Sequence, residues 1–203
     1  MGFASRGKAP LHSVGISAAN VTKEARGRYA QMLCGSLTSP GNTFGLTNTQ
    51  QLRLIPPPLI DWAVWANLDR YRDTELILLK GHLLLEVMLS ESLRARLSRT
   101  ETQIRKLSFR EKLKALAPLT ETDQALAKAL KFLEQLNWLR NKLAHEPFPG
   151  IRTELATWSD QVLSVFATRK HQRYTPRTRI TQAISALAKS VYESAHSAAQ
   201  LKR

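Results

Sequence analysis

Cysteine is nearly absent from this chain. Cys34 is the one cysteine among 203 residues, so an intramolecular disulfide framework is excluded. A reducing, cytoplasmic setting is expected. Long apolar runs are missing too. The longest are Leu76 to Leu79 and, across Glu86, Leu83 to Leu89, against the roughly 18 to 20 residues a spanning helix needs. No membrane partner is therefore expected. The first thirty residues lack the apolar region of a secretory signal. Their Arg, Ser and Ala content is shared by transit peptides and disordered extensions, and the second is the expectation here. Glycine-rich phosphate loops, Gly-x-Ser-x-Gly and Cys-x-x-Cys are all absent, so a nucleotide hydrolase or dehydrogenase of familiar type is not expected. No cluster of Cys or His offers a metal site, and no cofactor is expected. Strand signals, alternation bounded by turn pairs, are lacking as well.

Basic charge is abundant. The formal net charge is +14, from 30 Lys and Arg against 16 Asp and Glu. It is not confined to a tail: residues 1–50 hold five Lys/Arg against Glu24, net +4, and residues 51–203 hold 25 against 15, net +10. A folded unit with that balance concentrates polyanions at its surface, nucleic acid first among them, although solubility alone is served by the same charge.

Residues 1–58 form a Gly-, Ser-, Thr- and Asn-bearing extension closed by Pro56-Pro57-Pro58 and expected to be disordered. From residue 59 to residue 203 the pattern is helical. The helical pattern begins at Ile60, and Leu68, Ile77, Leu78, Leu84, Leu85, Met88, Leu89 and Leu93 recur at helical spacing, predicting a long amphipathic helix that ends near Arg99, with Trp62 and Trp65 before it. Ser108 and Glu111 have capping-box spacing before a short helix stopped at Pro118. Thr120 or Thr122 is expected to cap the next helix, which Pro147 and Pro149 bring to an end close to His145. A further stretch carries Leu155, Trp158 and Val162. Thr175 with Pro176 opens a last helix bearing Ile180, Ile184, Leu187 and Val191. The expected architecture is an all-α bundle of four to five helices.

Leu136 to Glu146 carries the chemistry. Arg140 is a permanent cation whose planar fork suits a phosphate. His145 can give and take protons near neutral pH. Asn141, four residues before His145, shares its helix face. Arg140, five before it, is about 140° around an ideal helix. The two meet one substrate only if the helix distorts at its Pro-bounded end or if a second chain contributes. A helix ending in Arg, Lys and His can also simply complement its dipole.

Arg140-Asn141-Lys142-Leu143-Ala144-His145 resembles the Arg-Asn-x-x-x-His signature of HEPN domains. Leu79 to Glu86 is similar to the first long helix of bacterial members, and Leu107 to Leu113 to the short element after it. The resemblance covers roughly residues 65–170 and leaves residues 1–50 and the final helix aside. It implies a HEPN-like fold and a metal-independent endoribonuclease in which an RNA 2′-hydroxyl attacks the adjacent phosphate, leaving a 2′,3′-cyclic phosphate. His145 would be general acid or base, Arg140 would hold the scissile phosphate, and Asn141 would orient one or the other. It further implies a homodimer with two motifs facing one cleft, and a toxin or phage-defence role with a cognate antitoxin or defence partner. Some members bind RNA or serve as structural partners without cutting.

Other residues carry weaker signals. His82 and Glu86 share a face at i, i+4, a spacing open to metal but better suited to a buried or interface pair; Glu86 could also support His145 from the cleft. Lys142 adds a cation inside the motif and is expected to bind RNA. Arg169, Lys170, Arg173, Arg177 and Arg179, with the Tyr174 ring among them, form either an RNA-gripping loop or a solvated linker. Trp138 and Trp158 fall within apolar stripes and are expected in the core, while Trp62 and Trp65 are expected to fasten the first helix to the bundle. Two rivals to the nuclease remain: a non-catalytic module that binds RNA or protein, and an all-α transcriptional regulator of mannitol-repressor type. No helix-turn-helix supports the latter.

Overall fold

The computed structural model describes Ile55 and residues 59–146, 150–166 and 175–200. Among them there are seven α-helices and no strand: α1 (Ile60–Leu68), α2 (Thr74–Leu97), α3 (Glu101–Arg105), α4 (Phe109–Leu116), α5 (Gln124–His145), α6 (Arg152–Phe166) and α7 (Pro176–Gln200). The fold is all-α. Residues 1–54 and 56–58, assigned above to an extension, lie outside the described residues, as do Arg169, Lys170, Arg173 and Tyr174. No helix among the described residues is long and apolar enough to cross a membrane.

α7 is the axis of the bundle. Its apolar stripe of Ile180, Ala183, Ile184, Leu187, Ala188 and Val191 is fully buried, packed between α1, α2 and α6, with α5 also in contact. A glycine on α2 lets that helix and α7 approach closely. Gly81 of α2 faces Ile184, and a Cβ at Gly81 would collide with the isoleucine side chain. The core reaches back to Ile55, whose side chain is buried and whose carbonyl accepts the Tyr192 hydroxyl (3.2 Å).

The stripe expected to form one long helix, Leu68 to Leu93, is divided between two helices. α1 ends at Leu68, and α2 begins after Asp73, whose carboxylate accepts the Glu75 N–H (2.9 Å). The break is stabilised from far along the chain. Arg177 donates to the carbonyl of Tyr71 (3.3 Å) and pairs with the Asp69 carboxylate (2.9 Å), supplying donors where a helix end leaves carbonyls bare. The cap of α5 is likewise Asp123 rather than Thr120 or Thr122: its carboxylate accepts the Leu126 N–H (2.9 Å), because a 3-10 turn over Ala117–Glu121 uses up the residues before it. The Ser108/Glu111 capping box is present in both directions. Thr175 Oγ1 accepts the Thr178 N–H (3.3 Å) at the start of α7.

Overpacking where α2 meets α7 is directly testable. Gly81→Ala should destabilise despite alanine's better helix propensity, and Gly81→Leu should cost about 1–3 kcal/mol. Ile184→Val, which removes the colliding methyl, should recover part of the Gly81→Ala loss in a double-mutant cycle read from denaturant midpoints.

Candidate functional site

α5 carries the motif because two requirements coincide on it. Leu126, Ala129, Leu130, Leu133, Leu136 and Leu139 bury one face against the bundle. The flanks of that face then hold polar residues at the edge of the core. Asn137, Arg140 and Asn141 lie on one such flank at i, i+3 and i+4. Arg140 and Asn141 are half-buried, and Arg140 Nη1 donates to Asn141 Oδ1 (3.1 Å). Among the described residues no carboxylate pairs with Arg140, so most of its donors remain available to an anion. His145 is exposed at the last turn, where the helix stops as expected. Among the described residues nothing bonds to it.

Behind Arg140 sits a polar cluster from three helices. His82 of α2 is only 6% exposed. Its Nε2–H donates to Asn137 Oδ1 (3.1 Å), since an amide oxygen can only accept. Its ring stacks on Phe109 of α4, centroids 4.1 Å apart. Glu86, one turn further along α2, accepts from Lys112 of α4 (2.7 Å), and Lys112 is 5% exposed. His82 and Glu86 therefore share a face without facing each other as ligands. Glu86 is held by Lys112, and no contact joins it to His145 among the described residues. Burial pushes the His82 imidazole below its ordinary 6.5; the Asn137 bond and Glu86 oppose this, while the charges of Arg140 and Lys112 add to it.

Trp138 is not a core residue. It is 55% exposed, because it sits three and four residues after Gln135 and Glu134 on the polar side of α5 rather than in register with Leu136 and Leu139. That register was present in the sequence: Trp138 shares a face with Asn141, Lys142 and His145 at i+3, i+4 and i+7. It lines a groove of about 460 Å³ between α5 and α6, beside Thr157 and Trp158. Trp158 is buried as expected and donates its indole N–H to the Phe132 carbonyl (3.1 Å). Trp62 and Trp65 line a larger hollow of about 860 Å³ between α1, α6 and α7.

The basic residues marked for RNA divide into groups. Lys142 lies over the Trp138 ring (5.3 Å) and pairs with Glu154 (2.8 Å), a bond that raises its pKa. Arg177 and Arg179 belong to the first turns of α7, bound to Asp69 (2.9 Å) and Asp160 (3.2 Å). No group of three or more His, Cys, Asp or Glu side chains among the described residues converges as metal ligands would.

Comparison of the chain with protein-family models, with curated proteins and with solved structures yields no significant match.

His82 gives the fold a measurable pH dependence. Unfolded, the imidazole takes a proton near its ordinary 6.5; folded, it resists until lower pH. Its contribution to stability is complete above that value and is lost as pH falls from there through the lowered pKa. Denaturant midpoints at about pH 7.5 and about pH 5.5 should differ less in His82→Gln than in the wild type.

Proposed function

We propose that the protein is a metal-independent endoribonuclease of HEPN type. One observation carries this reading. At the end of α5 a half-buried guanidinium, with no carboxylate partner among the described residues, is steadied by Asn141 one position on and followed by an exposed histidine. That is the equipment for cutting RNA without an external nucleophile. Arg140 grips the scissile phosphate through its fork and offsets the charge that grows on it. A base, His145, takes the proton of the 2′-hydroxyl as its oxygen bonds to phosphorus. The 5′-oxygen leaves with a proton from an acid, and the fragments carry a 2′,3′-cyclic phosphate and a 5′-hydroxyl. Trp138, exposed on the His145 face, offers a ring on which a neighbouring base stacks. In a homodimer two motifs share one cleft, so the acid and the base come from different chains. A toxin or phage-defence role, with a cognate inhibitor, accompanies this reading.

The angular separation of Arg140 and His145 on one helix favours a second reading, a module that binds RNA without cutting it.

End-labelled RNA incubated with the protein in excess EDTA separates the two. Cyclic-phosphate fragments are expected from the wild type, with rates about a hundredfold or more lower in Arg140→Ala and His145→Ala. Equal cleavage by all three proteins would assign the activity elsewhere. Salt-sensitive binding without cleavage would establish the binding module. Trp138→Ala should weaken single-stranded RNA binding by about 1–3 kcal/mol, measured by fluorescence anisotropy.

A further inference from the structure

The buried histidine behind Arg140 calls for a reason of its own. The side of α2 that holds His82 carries Leu78, Leu85 and Leu89, all wholly buried, besides Glu86. A leucine or phenylalanine would fill the same space without the cost of dehydrating a polar ring. The histidine's distinguishing contribution is its directed contact: the Nε2–H held by Asn137 Oδ1 (3.1 Å) while Phe109 packs on the ring face (4.1 Å). Asn137 lies one turn before both Arg140 and Asn141, so this bond fixes α2 to the turn of α5 from which those side chains project. The charges around it are balanced. Glu86 and Lys112 neutralise each other (2.7 Å), and with a neutral imidazole the net charge of the cluster is that of Arg140.

We propose that His82 is a positioning residue for Arg140: clamped between Phe109 and Asn137, it sets the direction in which the guanidinium meets a phosphate. Its bearing on RNA rests on the reading that Arg140 holds an RNA phosphate. His82 itself touches no substrate. Its hydrogen bond removes freedom from the α5 turn before the substrate arrives, so that less ordering remains to be done on binding. A one-ångström error in such a group is enough to cost about a hundredfold in rate.

The test uses the full-length protein and three variants. His82→Phe keeps the stack on Phe109 and removes the donor. His82→Gln restores an amide donor of similar reach. Arg140→Gln removes the cation while leaving a polar side chain. Three quantities are read: the Arg140 Nε–Hε resonance, the titration of His82 by NMR, and affinity for a 2′-O-methyl RNA, which cannot undergo 2′-hydroxyl attack. His82→Phe should melt close to the wild type yet shift the Arg140 resonance and weaken RNA binding about ten- to a hundredfold. His82→Gln should recover most of both, and the His82 pKa should rise in Arg140→Gln. A His82→Phe protein with the wild-type Arg140 resonance and affinity overturns the proposal and makes His82 a packing residue. Should His82→Phe not fold, the Arg140→Gln titration decides, and an unmoved His82 pKa overturns it. If Arg140→Gln binds the RNA as well as the wild type does, the RNA reading falls by itself, while the resonance and the titration still judge the positioning.

Discussion

The close approach of α2 to α7 at Gly81 and Ile184 is the constraint on which the rest depends. Successive residues on a helix point about 100° apart. Gly81 turned toward α7 therefore turns His82 toward α4 and α5. The next turn carries Glu86 to Lys112. The same pair of helices is bound again at its far end, where the Ser92 hydroxyl donates to the Val191 carbonyl (3.3 Å) and Arg96 to the Ser194 carbonyl (3.2 Å). A larger side chain at position 81 would push α2 outward and move His82 off Asn137. The packing of two apolar stripes and the placement of a polar cluster are one geometric fact.

α5 is secured differently at its two ends. At its start, the Asp123 carboxylate caps the helix and binds Arg96 of α2 (2.7 Å) and Ser194 of α7 (2.6 Å). Burial would raise its pKa, but bonds from Ser194, the Leu126 N–H and Arg96 together hold it below the usual carboxylate range. Its last turn is tied to α6 through Lys142 and Glu154 (2.8 Å), while Arg140 and Asn141 bond each other and His145 is exposed. A helix fixed at one end by a three-helix junction and held along its length by Trp158, His82 and Glu154 still leaves the Arg140 fork and His145 without a carboxylate partner among the described residues.

Much of the fold was legible where the determinants are local. The Ser108/Glu111 box, the Thr175–Pro176 start of α7 and the end of α5 beside Pro147 each depend on residues within one or two turns. The break between α1 and α2 was not, because Arg177, which supplies its donors, is more than a hundred residues away along the chain. Distance in sequence also hides the bond between His82 and Asn137, 55 residues apart. Trp138 is a different case. Its neighbours at helical spacing are polar, so its exposure follows from counting faces rather than from noting an aromatic among leucines. Arg140, Asn141 and His145 stand out by their order along the chain, while the side chains packed behind Arg140 include His82 of α2 and Phe109 of α4, which no local pattern announces.

The axial position of α7 has a consequence for how the protein comes into being. The stripe that closes the core, Ile180 to Val191, is nearly the last part of the described chain to be synthesised. At ordinary elongation rates of about 5–20 residues per second, α1 and α2 emerge several seconds or more before the helix that covers them. During that interval the leucines of α2 have only α1, α3, α4 and α5 for shelter, and the nascent chain is exposed to chaperones and to unwanted partners. For the half-finished protein, time on the ribosome is the hazardous stage, and the final helix ends it.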